Sequence, residues 1–270
     1  MLPDMTRLTS RSRTRLVLPP RVRFWLGLIL ALVSGYLIAL AQSAVVRPPL
    51  VIGQDAVPPS GQAQGVTSTL ENEGGAFIDI KPGGEAKTLL IYYPGGLVRP
   101  QAYEWLGRAL ATDGVQTVIP VFPLDLAVTG VDRADALIKK FGEGKQVIIA
   151  GHSLGGAMAA QYAKGHTDQL GGMILMGAYP AGNLSLKDTS LPVLSLLAEH
   201  DRVADPANVR DGLNRLPDSA QLTVISGSVH SFFGRYGPQK GDGLPTMTHA
   251  AAEAEILGAV RAFLATLPIP

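Results

Sequence analysis

The segment that most constrains the fold is Gly-His-Ser-Leu-Gly-Gly at residues 151–156. The apolar residues 147–150 before it have the length of a buried strand, and the small residues 157–163 after it are typical of a closely packed helix. Glycines at 151 and 155 remove Cβ atoms where strand and helix must approach each other. The pattern therefore predicts a strand, a sharp turn and a helix, with Ser153 in the turn.

Such a turn holds its central residue in a strained conformation, with the side chain directed into solvent at the carboxyl edge of the sheet. The Leu154 N–H would then lie at a helix N-terminus, where unpaired donors and the helix dipole favour negative charge. A tetrahedral oxyanion brings that charge. We interpret Ser153 as a nucleophile and Leu154 as one oxyanion donor. Because the bare G-x-S-x-G pattern also arises by chance, a turn without chemistry is the alternative.

Charge and composition argue against several other kinds of site. The net charge of the 270 residues is +1, and no basic run is interleaved with aromatic residues, so we predict no nucleic-acid partner. Cysteine is absent, which excludes disulfides, thiolate zinc sites and cysteine nucleophiles. No two of the five histidines stand at metal-ligand spacing. We therefore predict neither a metal nor a cofactor, and the oligomeric state stays open.

The N-terminus has the composition of a membrane anchor. Residues 1–23 carry six arginines against one acid, and we expect a disordered basic flank on the cytoplasmic side. Residues 24–41 carry no charge and would span about 27 Å as a helix, close to the hydrocarbon thickness of about 30 Å. We therefore predict a transmembrane helix within residues 24–46 and an extracytoplasmic location for the rest of the chain.

Two alternatives to an uncleaved anchor stay open. Ala39-Leu40-Ala41 also fits a signal-peptidase site, and cleavage there would export the protein. The apolar stretch is longer than the usual signal core of about 7–15 residues, which favours the anchor. A buried helix of a soluble protein is disfavoured because apolar residues occupy every face behind a basic flank.

The remaining chain divides into a linker and one folded domain. Residues 47–69 are rich in proline and glycine and lack periodicity, which predicts a disordered linker before a domain over 70–270. Strands are predicted at 76–80, 88–93, 115–121, 146–150, 173–176, 191–198 and 222–225. Helices are predicted at 100–113, 130–141, directly after Ser153, 207–216 and 248–267. This alternation predicts an α/β fold whose mostly parallel, doubly wound sheet is covered by helices on both faces.

In such a sheet, functional groups collect at the carboxyl ends of the strands. Asp201 comes just after the sixth predicted strand, and His230 follows the last one. A serine hydroxyl is a poor nucleophile, a histidine can accept its proton, and a carboxylate can hold that histidine in the required tautomer. The sequence therefore predicts a catalytic triad of Ser153, His230 and Asp201.

Other acids and histidines compete for these roles. Glu199 and Asp205 lie close enough in sequence to replace Asp201, and they also suit helix capping or a solvated surface. The remaining histidines stand in turns or at helix ends, namely His152, His166, His200 and His249. We therefore keep His230 as the base and Asp201 as the acid.

The second oxyanion donor is expected in the turn after an earlier strand. The sequence Tyr-Tyr-Pro-Gly-Gly-Leu-Val at 92–98 has glycines that free backbone N–H groups to face a site. Either Gly96 or Leu97 would donate, and the sequence does not choose between them. A purely structural turn is the alternative.

Together these features resemble the α/β-hydrolase superfamily. The resemblance rests on Gly-His-Ser-Leu-Gly-Gly, on Pro94-Gly95-Gly96, on the turn containing Asp201 and on the late His230. The segments YYPGGLV at 92–98 and HSFFGRYGPQKGDG at 230–243 are similar to those of a bacterial group of small, mostly uncharacterised α/β-hydrolases. The similarity covers about residues 74–267.

This resemblance implies the α/β-hydrolase fold and the Ser–His–Asp triad but not the substrate, because the superfamily includes esterases, lipases, peptidases, thioesterases, dienelactone hydrolases and acyltransferases. Only residues 181–190 stand where many lipases insert a helical cap, so we predict a minimal or absent cap, with the glycine-rich residues 232–246 as a candidate cover. We expect a serine hydrolase that cleaves an ester or related acyl bond of a small molecule through an acyl-enzyme. Acyl transfer by the same triad and a non-catalytic binding module are the alternatives.

Overall fold

The computed structural model describes residues 19–45 and 65–268. It contains two compact units, Met1–Val45 and Val46–Pro270. Most of the predicted basic flank and most of the predicted linker lie outside the described residues.

The first unit contains one long helix, α1 (Pro20–Val45). Proline is favoured at the first helical position because its missing N–H would be unpaired there in any case, and α1 begins at Pro20. The stretch Pro20–Ala39 has a mean hydropathy of 1.9, and none of it is buried within the structure. By length and composition, α1 can cross a membrane, and a signal sequence has the same properties.

The second unit is built on a single sheet. Its strands are β1 (Thr67–Asn72), β2 (Ala76–Lys81), β3 (Thr88–Tyr93), β4 (Val115–Pro120), β5 (Gln146–His152), β6 (Gly172–Met176), β7 (Val193–Ala198) and β8 (Gln221–Ile225). Their spatial order is β1-β2-β4-β3-β5-β6-β7-β8. Strand β2 is antiparallel to β1 and β4, and all other neighbouring pairs are parallel.

Both faces of the sheet are covered. The helices of this unit are α2 (Glu104–Ala111), α3 (Arg133–Phe141), α4 (Leu154–Gly165), α5 (Pro206–Gly212) and α6 (His249–Thr266). Successive residues of β5 enter opposite clusters, with Ile148 packing among residues of α2 and α6 and Ile149 among residues of α3 and α4. Because both faces are buried, the central strands are apolar throughout, which is why the sequence shows continuous runs there.

The predicted fold class is confirmed: the sheet is mostly parallel and helices lie on both faces. Strand β1 was not predicted, because its residues are mostly exposed and it pairs at the sheet edge. It begins at Thr67, three residues before the predicted start of the domain. The predicted helix 100–113 is a 3-10 turn, Pro100–Tyr103, followed by α2.

The carboxyl edge of the sheet carries no inserted helical cap. Residues 177–192, between β6 and β7, contain no helix. The predicted cover, residues 232–246, is held by backbone hydrogen bonds from Arg235 N–H to the Ala102 carbonyl (2.7 Å) and from Thr246 N–H to the Gly227 carbonyl (2.9 Å). The minimal-cap architecture is therefore present, and a covering role for 232–246 stays a prediction.

Candidate active site

Ser153 lies in the turn between β5 and α4, in a backbone conformation that residues other than glycine rarely adopt. Its φ is 52° and its ψ is −123°, and its N–H donates a hydrogen bond to the Met176 carbonyl at 3.0 Å. Helix α4 approaches the end of β3 so closely that a Cβ on Gly155 would lie 2.1 Å from the Tyr93 carbonyl oxygen. Only glycine permits this approach, which holds Ser153 half-buried in the turn.

His230 and Asp201 form a buried pair. The distance from His230 Nδ1 to Asp201 Oδ2 is 2.7 Å, and each side chain is 1% exposed. The other carboxylate oxygen, Oδ1, accepts the N–H groups of Val203 at 2.8 Å and Ala204 at 2.7 Å. Because both oxygens are occupied, the carboxylate is fixed, and it in turn fixes the imidazole with Nε2 left for another partner.

The connection from this pair to the Ser153 turn runs through the end of β6. A Cβ on Gly177 would lie 3.1 Å from His230 Nδ1 and 3.2 Å from Asp201 Oδ2. Gly177 directly follows Met176, the residue whose carbonyl accepts the Ser153 N–H. The three predicted triad residues therefore gather at the carboxyl ends of β5, β7 and β8.

The ring of His152, the residue before Ser153, also contacts His230, with 4.4 Å between ring centroids. In the part of the chain that the structure describes, the Ser153 hydroxyl and His230 Nε2 form no hydrogen bond with each other. Catalytic hydrogen bonds are often long in an unliganded site and shorten when substrate binds.

The alternative acids have other partners. Glu199 Oε2 accepts the Gly227 N–H at 2.8 Å, which fastens the turn after β7 to the turn after β8. Asp205 caps helix α5 by accepting the Ala207 N–H at 2.7 Å. Of these three acids, Asp201 is the one whose side chain contacts the imidazole of His230.

The other histidines are held away from Asp201. Nδ1 of His166 lies 2.8 Å from the Tyr162 carbonyl, and Nδ1 of His200 lies 3.0 Å from the Leu244 carbonyl. Nε2 of His249 lies 3.2 Å from the Gly234 carbonyl. No group of three or more histidine, aspartate or glutamate side chains is arranged for a metal within residues 19–45 and 65–268.

The turn after β3 lies beside the N-terminus of α4. A Cβ on Gly96 would be 3.0 Å from Leu154 Cδ2, so the two candidate donor residues are in contact. The Leu97 N–H donates to the Asp125 carbonyl at 2.8 Å, whereas the Gly96 N–H has no acceptor among the described residues. Of the two alternatives, Gly96 is the one whose N–H is available, and Leu154 N–H is an unpaired donor at the first position of α4.

One contact at this site was not found in the sequence. Asp242 accepts the backbone N–H of His230 at 3.1 Å and that of Ser231 at 2.9 Å, so it ties the loop 232–246 to the candidate base. An acid between two glycines in the loop after His230 was the available signal. The aspartate side chain often accepts nearby backbone N–H groups in this way.

Comparison with known proteins identifies the family to which this chain belongs. The model of a family described as the alpha/beta hydrolase family matches residues 89–254. The chain belongs to the alpha/beta hydrolase family. A search of curated proteins by sequence finds no match.

Solved structures support the same fold for this alpha/beta hydrolase. A predicted CIB-like hydrolase from Thermoplasma acidophilum is 13% identical, with 74% of this chain and 98% of that chain covered and a TM-score of 0.56. An alpha-beta serine hydrolase homologue from Coxiella burnetii is 20% identical, with 73% and 96% covered and a TM-score of 0.54. A member of the a/b serine hydrolases without lid from Xanthomonas campestris is 16% identical, with 77% and 97% covered and a TM-score of 0.56. At these identities the likeness shows the fold alone.

Proposed function

We propose that this alpha/beta hydrolase is a serine hydrolase that cleaves an ester or a related acyl bond. Ser153 would be the nucleophile, His230 the general base and Asp201 the residue that orients His230. The N–H groups of Leu154 and Gly96 would hold the oxyanion. The observation that supports this proposal most strongly is the buried 2.7 Å contact between Asp201 and His230 beside the Ser153 turn.

The proposed reaction proceeds through an acyl-enzyme. Ser153 Oγ forms a bond to the acyl carbon while its proton passes to His230 Nε2, and the carbonyl π electrons move onto the oxyanion. The tetrahedral intermediate collapses, the bond to the leaving group breaks, and the leaving oxygen takes the proton from His230. Water then attacks the acyl-enzyme with His230 again as base, which releases the acid and restores Ser153. These steps need no cofactor.

Two exposed apolar side chains in loops at the carboxyl edge of the sheet support the proposal of an apolar acyl group. Leu124, in the loop after β4, is 67% exposed, and Leu244, in the loop after β8, is 86% exposed. Both loops follow strands at the carboxyl edge of the sheet, where Ser153 also lies. Because no helix is inserted between β6 and β7, this edge is not covered by a cap of the usual kind.

We further propose that α1 anchors the protein in the cell membrane, with its N-terminus in the cytoplasm and the hydrolase domain outside. The exposed apolar surface of α1 supports the anchor, and the arginines within residues 1–23, ahead of the apolar stretch, support this orientation. N-terminal sequencing of the membrane-fraction protein tests the anchor. A chain that starts at Gln42 would show that a signal peptide is removed and the protein exported.

The catalytic proposal is tested by labelling and turnover with full-length protein in detergent micelles. A fluorophosphonate probe should label the wild type, and nitrophenyl esters of increasing chain length should be hydrolysed. Ser153→Ala should abolish labelling and lower kcat/KM by about 10³-fold or more. Ser190→Ala, which removes an exposed serine hydroxyl, is the matched control and should keep both activities. Full turnover in Ser153→Ala would refute the proposal.

The same probe and ester substrates distinguish two other functions from ester hydrolysis. An acyltransferase with this triad would form ester products when alcohol acceptors are added, at the expense of the free acid. A non-catalytic binding module would show no labelling of the wild type by the probe.

A further inference from the structure

His152 is a buried titratable group that the proposed reaction does not use. Its side chain has no exposed surface, and its ring contacts that of His230. Burial, and next the neighbouring His230, lower the pKa of His152 well below its ordinary value. His152 is therefore a neutral imidazole at the pH where His230 would act as a base.

One nitrogen of this imidazole has a specific partner. Nδ1 of His152 lies 2.9 Å from the hydroxyl of Tyr103, which is itself 1% exposed. The same hydroxyl accepts the N–H of Gly95 at 3.0 Å. A Cβ on Gly95 would lie 2.8 Å from both the Tyr103 hydroxyl and His152 Nδ1, so only glycine lets the turn reach this pair.

The hydrogen bonds indicate where the protons lie. Burial raises the pKa of Tyr103, so its hydroxyl keeps its proton. If that proton is donated to His152 Nδ1, the ring proton sits on Nε2, and Nε2 is then the only atom of this Tyr103–His152 pair without a hydrogen-bond partner among the described residues. If Nδ1 carries the proton instead, the Tyr103 hydroxyl proton and Nε2 are both left unpaired. Because buried unpaired polar groups destabilise a fold, the first arrangement is favoured.

We propose that Tyr103 and neutral His152 are positioning residues that connect the oxyanion turn to the catalytic base. The connection runs from the Gly95 N–H through the Tyr103 hydroxyl to His152, whose ring packs against His230. It fixes Gly95, and thereby the adjacent donor Gly96, relative to His230. This inference rests on the proposed function, because it assigns a role in that reaction.

The role of a neutral ring follows from the charge that develops on His230. During acylation His230 becomes an imidazolium, and a second cation whose ring centre is 4.4 Å away would oppose that charge. The hydrogen bond from Tyr103 holds His152 in one neutral tautomer. The pair therefore sets both the geometry and the charge beside the base.

The first experiment removes only the Tyr103 hydroxyl. In full-length protein in micelles, Tyr103→Phe should lower kcat for nitrophenyl esters by about tenfold or more and leave KM within about twofold, because the oxyanion contact forms in the transition state. The matched control is Tyr92→Phe. Tyr92 is equally buried, its ring lies beside that of Tyr103 with centroids 4.9 Å apart and ring planes tilted by 34°, and its hydroxyl contacts Met176 Sδ at 3.4 Å. This control should keep kcat within about twofold or threefold.

A second arm uses His152. His152→Asn offers an amide oxygen near the position of Nδ1 and should keep more of kcat than His152→Leu, which offers no acceptor. The loss from Tyr103→Phe should largely disappear in the His152→Leu background, because the two substitutions break the same connection. A full, additive loss in that background would overturn the proposed coupling.

The third arm is a measurement on the wild type. It depends neither on the folding of a variant nor on an activity assay. ¹⁵N NMR of the histidine rings should show His152 neutral, with its proton on Nε2, across the pH range in which the ester assay is run. A proton on Nδ1, or a protonated His152 in that range, would overturn the arrangement. Lack of probe labelling in the wild type would instead refute the proposed function. Normal labelling with equal kcat in Tyr103→Phe and Tyr92→Phe would refute the positioning role alone.

Discussion

Substitution of Gly155 by alanine tests the close contact that shapes the Ser153 turn. A Cβ at this position would lie 2.1 Å from the Tyr93 carbonyl oxygen and 2.3 Å from that of Pro94. Both atoms belong to backbone, so no side chain can rotate to relieve the overlap. Strand and helix would have to separate by about 1.4 Å to restore an ordinary contact distance of about 3.5 Å.

We expect two consequences of that separation. Strand β3 is a central strand, paired with β4 and β5, so its backbone resists movement. Overpacking of this kind destabilises a fold by about 1–3 kcal/mol, and backbone overlap places Gly155→Ala at or above the upper end. The same movement displaces Leu154 N–H from Gly96, and a misplacement of about 1 Å lowers turnover by about 10²-fold.

Gly165→Ala is the matched control because it makes the same change in the same helix. A Cβ at Gly165 would have no neighbour within 4 Å. Alanine is favoured over glycine in helices by about 0.5–1 kcal/mol, so this variant should be as stable as the wild type or slightly more stable.

Urea unfolding of the full-length protein in micelles provides the measurement. Trp105 is 7% exposed in the hydrolase domain and reports its unfolding by fluorescence. A Trp25→Phe background removes the other tryptophan of the chain, which lies in α1. A urea midpoint for Gly155→Ala equal to or above that of the wild type would show that the contact does not constrain the turn.

Two further predictions concern residues in contact with the candidate base. Asp242→Ala leaves the N–H groups of His230 and Ser231 without their acceptor and should lower kcat for ester hydrolysis by about tenfold. The control Lys240→Ala, in the same loop, should not lower kcat. Equal kcat values for the two variants would contradict the role of Asp242. Burial lowers the pKa of His152, so below about pH 6.5 the unfolded chain binds a proton at this residue while the folded chain does not. The free energy of unfolding should therefore fall as the pH drops below that value, by at most about 1.4 kcal/mol per pH unit from this group. His152→Asn should flatten that part of the curve of melting temperature against pH, and an unchanged slope would contradict the assignment.

Features that depend on neighbouring residues could be predicted from the sequence. The buried strands β3 and β5 are continuous apolar runs, and their predicted starts at 88 and 146 agree with the structure. The Ser153 turn was predicted because its glycines meet a local steric requirement. Strand β1 was missed because its polar, exposed residues show no apolar pattern and it is defined by pairing with β2.

Contacts between distant residues could not be predicted in the same way. The sequence favoured Asp201 as the acid and left Glu199 and Asp205 as alternatives. Only the folded chain shows that Asp201 contacts the imidazole of His230, whereas Glu199 and Asp205 accept backbone N–H groups elsewhere. Leu97 and Gly96 were equivalent donors until the fold brought the Asp125 carbonyl to the Leu97 N–H.

The sequence by itself therefore determined the alternation of strands and helices, the sharp turn at Ser153 and the apolar N-terminal helix, because hydrophobic periodicity and the steric needs of glycine act over a few residues. The tertiary structure alone decided which carboxylate touches His230, which amide in the turn after β3 is unpaired, and that Tyr103 reaches His152 across 49 positions of sequence. The physical reason is that a hydrogen bond requires atoms within about 3 Å, and the packing of the whole sheet brings them to that distance.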